Sequence, residues 1–496
     1  MYMKNNLIKL STLFTCSLLV VLSTGCKKAF LDQKPYNSVV LSEAIKNEAD
    51  LNTALNGLYA SLRVTDLYGR TYAVKGDMMG DKCFLSSSNS GRYLVFNNYN
   101  FNKTDGYASA VWLNSYTAIK NANFIINCGL DPAANDNYSQ FFAEAYAVRA
   151  LVYFDLVRNY ALPYTVDPAT PGVPIVTKFD ITSKPSRATV AQVYEQIIAD
   201  LTRAFSLAKF NQGQTMNLTT VAKTRSVNSS FLSKYAIELL LARVYQNKGD
   251  WASAKTAALD VINNSGFSVV PAANVIAYWK GVTPSTSKVE TMFELTNDAN
   301  NQIGDGTMAQ YLVPKANGGA YGDMLATKAF YDSYRATDVR KGLISPSTRS
   351  GQLGTAHYIV KYPIETVNWD DMKILRFSEA YLILAEAYYN QGDITNANAT
   401  LNTFAVKRDP AIVYASTGTA VLDDILNERA KEFAFEGYRF YDLIRLGKPF
   451  TKSQEQDATN TITKSTSVDL NNINIIFPIP SDEMLVNPNL TQNRGY

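Results

Sequence analysis

Apolar residues recur every three or four positions through much of the chain, the spacing typical of amphipathic helices. The window 423–446 shows this pattern over its full length and predicts one long helix. It also carries acids at four-residue intervals: Glu428, Glu432 and Glu436. Because like charges at this spacing repel, these carboxylates need cations. The candidates within the window are Arg429, Arg439 and Arg445. We therefore expect a seam at which helices are joined by ion pairs.

The same periodicity predicts further helices along the chain. Their ranges are 43–62, 108–129, 137–160, 189–205, 228–247, 251–264, 376–390 and 394–406. Ser42 precedes the first range and can cap its helix, and Thr189 opens the range 189–205. Trp112 lies within the range 108–129 and is expected to belong to the core.

Two helix pairs repeat one pattern at an offset of about 143 residues. Gly249-Asp250 separates the helices of the first pair, and Gly392-Asp393 separates those of the second. Glycine provides the backbone freedom that ends the first helix, and the aspartate caps the second. Such a pair is similar to the tetratricopeptide unit, which completes its core by stacking on its neighbours. The sequence thus predicts a mainly α fold with a superhelical scaffold.

Two long segments interrupt the helical pattern and form the predicted irregular half of the molecule. They span residues 65–105 and 267–375 and are rich in glycine and aromatic residues. The second contains two β-like runs, 291–295 and 358–362, and one predicted helix, 328–334. After Lys448 the chain is expected to be extended. Long irregular segments inside a domain are usually functional or disordered, and their aromatic content argues against disorder.

Composition excludes several classes of chemistry. The formal net charge is only +3, so no strong attraction to nucleic acid is expected. The chain has one histidine, His357, and therefore no two-histidine metal site. No motif indicates a cofactor. Carboxylate-only catalysis, as in glycosidases, needs just two acids and stays open on composition alone.

The first residues have the features of a bacterial lipoprotein signal. Lys4 and Lys9 precede an apolar stretch that is too short to span a bilayer. It ends at Gly25-Cys26, which resembles a lipobox with Cys26 as the lipidated residue. We predict a signal peptide over 1–25, a lipidated tether over 26–40 and one domain over 41–496. Two cysteines remain, Cys83 and Cys128, and they can either pair or stay free.

Five groups of residues, taken together, resemble the SusD/RagB family of outer-membrane lipoproteins. They occur in the family's order behind the lipobox. Their ranges are 144–158, 241–251, 376–387, 428–439 and 477–493. Within them, Tyr153-Phe154-Asp155-Leu156-Val157-Arg158 matches Phe440-Tyr441-Asp442-Leu443-Ile444-Arg445 position by position, and each copy is expected to form a local Asp–Arg pair.

The resemblance implies a fold and a role. The fold is a scaffold of tetratricopeptide-like helix pairs that supports a loop-rich ligand-binding half. The role is a non-catalytic nutrient binder, anchored by lipid in the outer membrane, that acts as the lid of a SusC-like TonB-dependent transporter. Its cargo would be an oligosaccharide or, as the alternative, a peptide or another nutrient bound on the same scaffold. Members of this group often carry acids after the lipidated cysteine. This chain has Lys27-Lys28, which leaves open whether it faces the cell exterior.

The irregular segments also contain the candidate ligand-binding residues. Aromatic rings can stack on the apolar faces of sugars, while Asn and Arg can bind hydroxyl groups. Candidates in both segments combine these properties: Arg92, Tyr93, Asn97, Tyr99, Tyr311 and Tyr321, with Trp279 ranked below Tyr321. A helical glycosidase is a further alternative, with Glu428, Glu432 and Glu436 as its obvious acids. A scaffold for protein partners is another.

Overall fold

Helices are the main regular structure of the described chain. The computed structural model describes residues 44–218, 223–280, 288–297, 302–362, 371–456 and 462–496. The α-helices are α1 (Glu48–Leu62), α2 (Thr71–Met78), α3 (Leu94–Asn98), α4 (Gly106–Ile126), α5 (Asp136–Tyr160), α6 (Val190–Leu207), α7 (Lys234–Lys248), α8 (Trp251–Asn264), α9 (Val275–Lys280), α10 (Met308–Leu312), α11 (Lys328–Ser333), α12 (Ser378–Asn390), α13 (Ile394–Ala405), α14 (Ala420–Glu432), α15 (Arg439–Arg445) and α16 (Ser481–Val486).

Short strands make up the remaining regular structure. They are β1 (Cys83–Leu85), β2 (Thr215–Leu218), β3 (Lys223–Ser226), β4 (Thr291–Leu295), β5 (Met324–Ala326), β6 (Ile344–Ser347), β7 (Ala356–Ile359), β8 (Met372–Arg376), β9 (Phe450–Gln456) and β10 (Ile462–Val468). One antiparallel sheet has the order β1-β5-β7-β6, and β2–β3, β4–β8 and β9–β10 form two-stranded antiparallel pairs. The mainly α prediction is confirmed.

The two predicted helix pairs form and stack on each other. α7 packs against α8, α12 packs against α13, and α8 also contacts α12. Gly249 and Gly392 adopt φ values of 79° and 81° at the ends of the first helices. Neighbouring helices from α4 to α8 pack in chain order, and the array continues through α12 to α14. The insert between the pairs therefore does not interrupt the stack.

Side chains cap these helices largely where the sequence predicts. Thr189 forms a capping box with Gln192, and Asp250 and Asp393 accept hydrogen bonds from the backbone of the following helix. The first helix is an exception, because its cap is Asn47, which accepts from the backbone N–H groups of Ala49 and Asp50. The helix predicted to start at 43 thus begins at Glu48. Ser42 lies outside the described residues, as do the signal segment, Cys26 and Lys27-Lys28.

The prediction of one continuous helix over 423–446 is wrong. This window forms two helices, α14 and α15, separated by a turn. Phe435 and Gly437 take left-handed φ values of 68° and 85° in this turn. A Cβ on Gly76 of α2 would lie 1.9 Å from the carbonyl oxygen of Gly437, so the turn is pressed against α2. The close backbone contact explains the break, because a continuous helix would not bring Gly437 there.

The segment 65–105 is more regular than predicted. It contains a π-helical turn (Thr65–Gly69), α2, β1 and α3. In the insert, β4 matches its predicted run, while β7 and α11 differ from the predictions at their ends. The C-terminal part is extended only in places, since it forms β9, β10 and α16. Short 3-10 turns lie at Ala272–Asn274, Gly304–Gly306, Lys315–Asn317, Val339–Leu343 and Ile473–Ile475.

Cys83 and Cys128 are both free thiols, the former buried and the latter partly exposed. Of the two alternatives for these cysteines, the structure thus has the unpaired one. Trp112 is buried, as expected for a core residue. Among the described residues, no helix has the length and apolarity needed to cross a membrane.

Candidate functional site

Three loops from the two irregular segments meet at one surface. We call residues 86–92, 314–323 and 348–355 the loop surface. Ser86 follows β1 and Asp323 precedes β5, and these strands pair antiparallel, so both residues lie at the same end of the ladder. The backbone N–H of Ser86 donates to the carbonyl oxygen of Asp323 at 2.8 Å. The third loop joins β6 to β7.

Arg92 and Tyr321 form the aromatic and cationic part of the loop surface. The guanidinium carbon of Arg92 lies 4.0 Å from the centroid of the Tyr321 ring. Both side chains are partly exposed. Contacts of this kind contribute about 0.5–1 kcal/mol at exposed positions, enough to favour one arrangement of the arginine. The structure thus brings together one candidate from each irregular segment.

Arg349 fastens the three loops together. Its guanidinium group donates to the carbonyl oxygens of Tyr321 and Gly322 at 3.0 and 2.6 Å and to the carbonyl oxygen of Ser88. It also contacts the carboxylate of Asp323 at 3.2 Å. The planar guanidinium group can hold several acceptors in fixed directions, which lysine cannot do. Arg349 therefore determines the relative position of the first loop and the second.

Ser90 and Gln352 complete the connections. The backbone N–H of Ser90 donates to Asp323 Oδ2 at 3.0 Å, and the Ser90 hydroxyl donates to the same atom. Gln352 Oε1 accepts from the hydroxyl of Ser86 at 2.9 Å and from the backbone N–H of Ser87 at 3.0 Å. These contacts leave Leu353 59% exposed beside Gln352. The loop surface thus offers polar groups and one apolar side chain.

A layer of aromatic side chains supports the loop surface from below. Tyr93 is 1% exposed, and its ring packs on Tyr107 at 4.7 Å and on Tyr311 at 5.0 Å between centroids. The Tyr93 hydroxyl accepts from Arg70 Nε at 2.9 Å. Tyr93 has φ = 58°, a strained value for a bulky residue, which reverses the chain between Arg92 and the interior. Burial raises the pKa of Tyr311 well above its usual range.

Five of the seven candidate residues lie in the interior, so the predicted set needs correction for this conformation. They are Tyr93, Asn97, Tyr99, Tyr311 and Trp279. Asn97 accepts the backbone N–H of Leu85 at 3.0 Å, and the Tyr99 hydroxyl donates to the carbonyl oxygen of Met79. A side chain enclosed in this way cannot contact a ligand at the surface. Arg92 and Tyr321 stay as predicted ligand contacts.

Trp279 is buried for a different reason. Its ring lies 3.9 Å from Lys361 Nζ and 5.1 Å from the guanidinium carbon of Arg376. Trp279 therefore packs against the ionic core of the molecule, away from the loop surface.

Sequence reasoning missed Arg349 and Gln352. Both lie in a loop with a positive-φ glycine, Gly351, which marks a turn in the sequence. This turn lies close to residues 86–90 in space. The two stretches are more than 250 positions apart in the chain, so the sequence does not show that they are neighbours. Only the packing of the loops shows it.

Comparisons with known proteins all point to one protein family. A family model described as starch-binding and associating with the outer membrane matches residues 29–245, and a SusD family model matches residues 364–496. SusD-like protein P2 of Formosa agariphila is 26% identical over 97% of this chain and 99% of its own. A solved SusD superfamily protein from Bacteroides vulgatus has a TM-score of 0.80 at 27% identity, covering 91% of this chain and 100% of its own.

A second solved protein from Bacteroides vulgatus is 30% identical and covers 91% of this chain and 99% of its own, with a TM-score of 0.79. The chain belongs to the SusD/RagB family.

Two of the family-like motifs, 376–387 and 428–439, contribute residues to a buried ionic seam. Arg376 contacts Glu290, Glu432 and Glu436 at 2.5, 2.7 and 2.8 Å. Burial opposes ionisation of Glu432, but the neighbouring cations Arg408 and Arg376 outweigh it and hold the pKa of this carboxyl well below its usual range. The expectation that helices are joined by ion pairs is confirmed.

The cations of the seam differ from those predicted. Arg340, Lys361, Arg376 and Arg408, all outside the window, bind the three glutamates. The predicted partners bind other acids. Arg429 contacts Asp442, Arg439 contacts Asp81, and Arg445 contacts Glu386 and Asp442. The prediction failed because the predicted arginines face a different direction from the three glutamates. The insert and β8 instead place other cations next to these glutamates.

Both copies of the repeated six-residue pattern form the expected local pair. Asp155 contacts Arg158, and Asp442 contacts Arg445 at 2.9 Å. Arg158 also lies over an aromatic ring, with its guanidinium carbon 4.4 Å from the centroid of Tyr441. In this SusD/RagB protein the two motifs thus meet in the core.

Two cavities lie away from the loop surface. One, of about 60 Å³, is lined by tyrosines and by charged groups that include Asp155, Arg158 and Arg243. It has room for several waters. The other, of about 250 Å³, lies beside Lys82, Phe330 and Lys431. Phe330 is only 4% exposed and presents no ring face to a sugar. No group of side chains suited to a metal ion occurs among the described residues.

Proposed function

We propose that this protein binds carbohydrate at the loop surface. The observation that carries the proposal is the partly exposed Arg92–Tyr321 pair, held by Arg349 at the meeting of three loops. A ring with adjacent donors suits a sugar, whose C–H groups pack on aromatic faces while its hydroxyls accept hydrogen bonds. The match to a family model described as starch-binding supports the choice of carbohydrate. A peptide ligand is the alternative, and the test below includes it.

We also propose that the protein is a lipoprotein of the outer membrane and the lid of a SusC-like TonB-dependent transporter. The lipobox-like Gly25-Cys26 supports the anchor, and the matched family is described as associating with the outer membrane. The signal peptide over 1–25, the tether over 26–40 and the domain from 41 stay predictions. So does the direction in which the protein faces.

We propose no catalytic activity. Glu428 and Glu432, two of the obvious acids for a glycosidase, are buried, the side chain of the third, Glu436, is 2% exposed, and all three pair with arginine or lysine. A general acid must reach the glycosidic oxygen of its substrate, and these carboxylates lie in the interior. We expect no release of reducing sugar from any glycan that the protein binds.

The test of binding uses the chain from Lys27 onward, which omits the lipidation site. A glycan array with a parallel peptide array identifies ligands, and calorimetry then gives Kd. Tyr321→Ala is expected to weaken glycan binding about tenfold or more, as truncation of a central aromatic contact does. Phe179→Ala is the matched control, because Phe179 is 51% exposed but lies outside the loop surface. Binding of peptides alone, or equal losses for both variants, would contradict the proposal.

The partner proposal is tested in native membranes. A tagged copy is extracted in mild detergent and recovered with whatever is bound to it. Co-purification of a large TonB-dependent barrel would support the lid role. Recovery of the chain alone, or from the inner membrane, would contradict that role without affecting the binding proposal.

A further inference from the structure

The accessible charges of the loop surface are all positive. Its three loops contain Arg92, Lys315 and Arg349 and a single acid, Asp323. Asp323 is 1% exposed, and its carboxylate is occupied by Arg349 and by the backbone and hydroxyl groups of Ser90. An incoming ligand therefore meets cations and neutral polar groups on these loops.

Arg92 and Lys315 are the cations of this surface without an acid partner among the described residues, and Arg92 is the one that lies against an aromatic ring. Among the described residues, no carboxylate lies within ion-pairing distance of its guanidinium group and no acceptor receives its side-chain N–H groups. Stacking on Tyr321 holds the guanidinium carbon, while its N–H groups remain unused. A planar guanidinium group presents its donors in a fork that matches the paired oxygens of a carboxylate or a sulfate.

The neighbouring Arg349 lies at the same surface, but its side-chain donors already bind groups of the protein. It donates to three backbone carbonyl groups and contacts Asp323, and its side chain is 12% exposed. Its hydrogen-bonding groups are therefore used within the protein. Arg92 lies in the adjoining loop and has no such partner in the described part of the chain, so its donors are left for a ligand.

From these observations we infer that the saccharide bound at the loop surface carries an anionic group, the carboxylate of a uronic acid or a sulfate ester, and that Arg92 binds this group. The inference rests on the proposed carbohydrate function and narrows it to acidic glycans. Tyr321 then acts twice, as a contact for the sugar and as the support that orients Arg92.

Matched ligand pairs isolate the charge from the sugar ring. One pair is an oligogalacturonate and its neutral methyl ester, and the other is a sulfated carrageenan oligosaccharide and its desulfated form. Calorimetry with the chain from Lys27 onward gives Kd for all four at low and at high salt. We expect an acidic member to bind at least about tenfold more tightly than its neutral partner, because a hydrogen bond to a charged group is stronger than one to a neutral group. The better pair identifies carboxylate or sulfate.

Variants assign the effect to Arg92. Arg92→Gln is expected to abolish the difference within the better pair, to weaken binding of its acidic member about 10- to 100-fold and to remove most of the salt dependence. Arg92→Lys should retain part of the affinity, since it keeps the charge and loses the fork. Lys178→Gln makes the same charge change at an exposed position on another surface and should leave all four Kd values unchanged.

Equal or tighter binding of both neutral members would overturn the inference and leave the proposed function intact. The same holds if only neutral glycans bind on the array. If Arg92→Gln weakens acidic and neutral members equally, Arg92 supports the fold of the site and the inference is wrong. Failure of every glycan to bind would overturn the proposed function itself and the inference with it.

Discussion

Arginine lies over aromatic rings in two contrasting regions of this molecule. In the ionic seam, Arg376 is 1% exposed, lies 5.1 Å from Trp279 and 4.9 Å from Phe433, and contacts three glutamates. On the loop surface, Arg92 lies 4.0 Å from Tyr321, is partly exposed and has no acid partner among the described residues. The same side-chain pairing thus occurs with and without neutralising carboxylates.

The difference follows from what burial demands of a charge. Arginine keeps its proton under all ordinary conditions, so a deeply buried guanidinium group needs acceptors around it, and in the seam these are mainly carboxylates. Water can solvate Arg92 until a ligand replaces it. A buried lysine shows a third response to burial. Lys75 is fully buried without a hydrogen-bond partner in the described part of the chain, and burial, together with Arg158, lowers its pKa to about 7.

The largest effect is expected from breaking the seam. Arg376→Ala would leave Glu290, Glu432 and Glu436 short of cations in the interior, and we expect it to lower the free energy of unfolding by about 3–5 kcal/mol. Urea unfolding followed by circular dichroism measures this. Should the variant not fold, Glu432→Gln provides a milder disruption of the same network. As the control, Lys328→Ala removes an exposed pair with Asp332 and should change stability by less than about 0.5 kcal/mol. Similar losses of stability for Arg376→Ala and Lys328→Ala would contradict the expected difference between the buried seam and an exposed ion pair.

A smaller effect is expected from replacing the unpaired buried lysine. The folded pKa of Lys75 is lowered from 10.5 to about 7. Between these values the unfolded chain holds a proton that the folded chain lacks, so stability rises with pH from about 7 to about 10.5. Below about 7 both states are protonated and the penalty is constant. Lys75→Met should remove up to about 1.4 kcal/mol of this rise per pH unit and stabilise the protein at pH 7 by about 1–3 kcal/mol.

Unfolding titrations from pH 7 to about 10 check this prediction. Burial also lowers the pKa of Lys452 to about 7, so part of the rise should persist in Lys75→Met. Lys448→Met, at a partly exposed lysine that pairs with Asp423, serves as the control and should leave the slope unchanged. An unaltered slope in Lys75→Met would mean that Lys75 stays charged in the folded protein.

A local effect is expected at the loop surface. Arg349→Ala should loosen residues 86–92 and 349–353 and increase their amide hydrogen exchange, while global stability falls by only about 1 kcal/mol. The reason is that Arg349 joins loops without entering the helical core. Arg335→Ala removes a half-exposed arginine outside these loops and is the control. Faster exchange spread evenly over the helices would count against a role confined to the loops.

The smallest change in stability is expected for Arg92→Ala, within about 0.5 kcal/mol of the parent protein, because the side chain is partly exposed and has no acid partner among the residues that the structure describes. Thermal unfolding measures it, with Arg376→Ala as the opposite extreme. A large loss would show that Arg92 has a structural role like that of Arg376.

Sequence reasoning succeeded where a rule acts over a few residues. The helix pairs, the caps at Thr189, Asp250 and Asp393, and the strand over 291–295 all depend on local spacing or local hydrogen bonds. The family motifs added the overall architecture. The break after α14 was missed because it depends on Gly76, far away in the chain, whose missing side chain allows contact with Gly437.

The site was predictable only in part, for a related reason. Sequence composition identified the two segments that meet at the loop surface, and with them Arg92 and Tyr321. It could not distinguish an aromatic residue that faces outward from one that faces inward. Tyr93 immediately follows Arg92, yet its positive φ turns it into the core. Arg349 contributes through contacts with residues 261 positions away, which no local pattern reveals.

The free cysteines have a practical consequence for observing the protein at work. In a chain that starts at Lys27, Cys83 is sealed in the interior and Cys128 is the one partly accessible thiol. Burial raises the pKa of the Cys128 thiol, so a maleimide dye would react best in mildly alkaline buffer. A single fluorophore could then be attached to the helical scaffold without any substitution, which provides a reporter for following individual molecules as they bind and release their cargo.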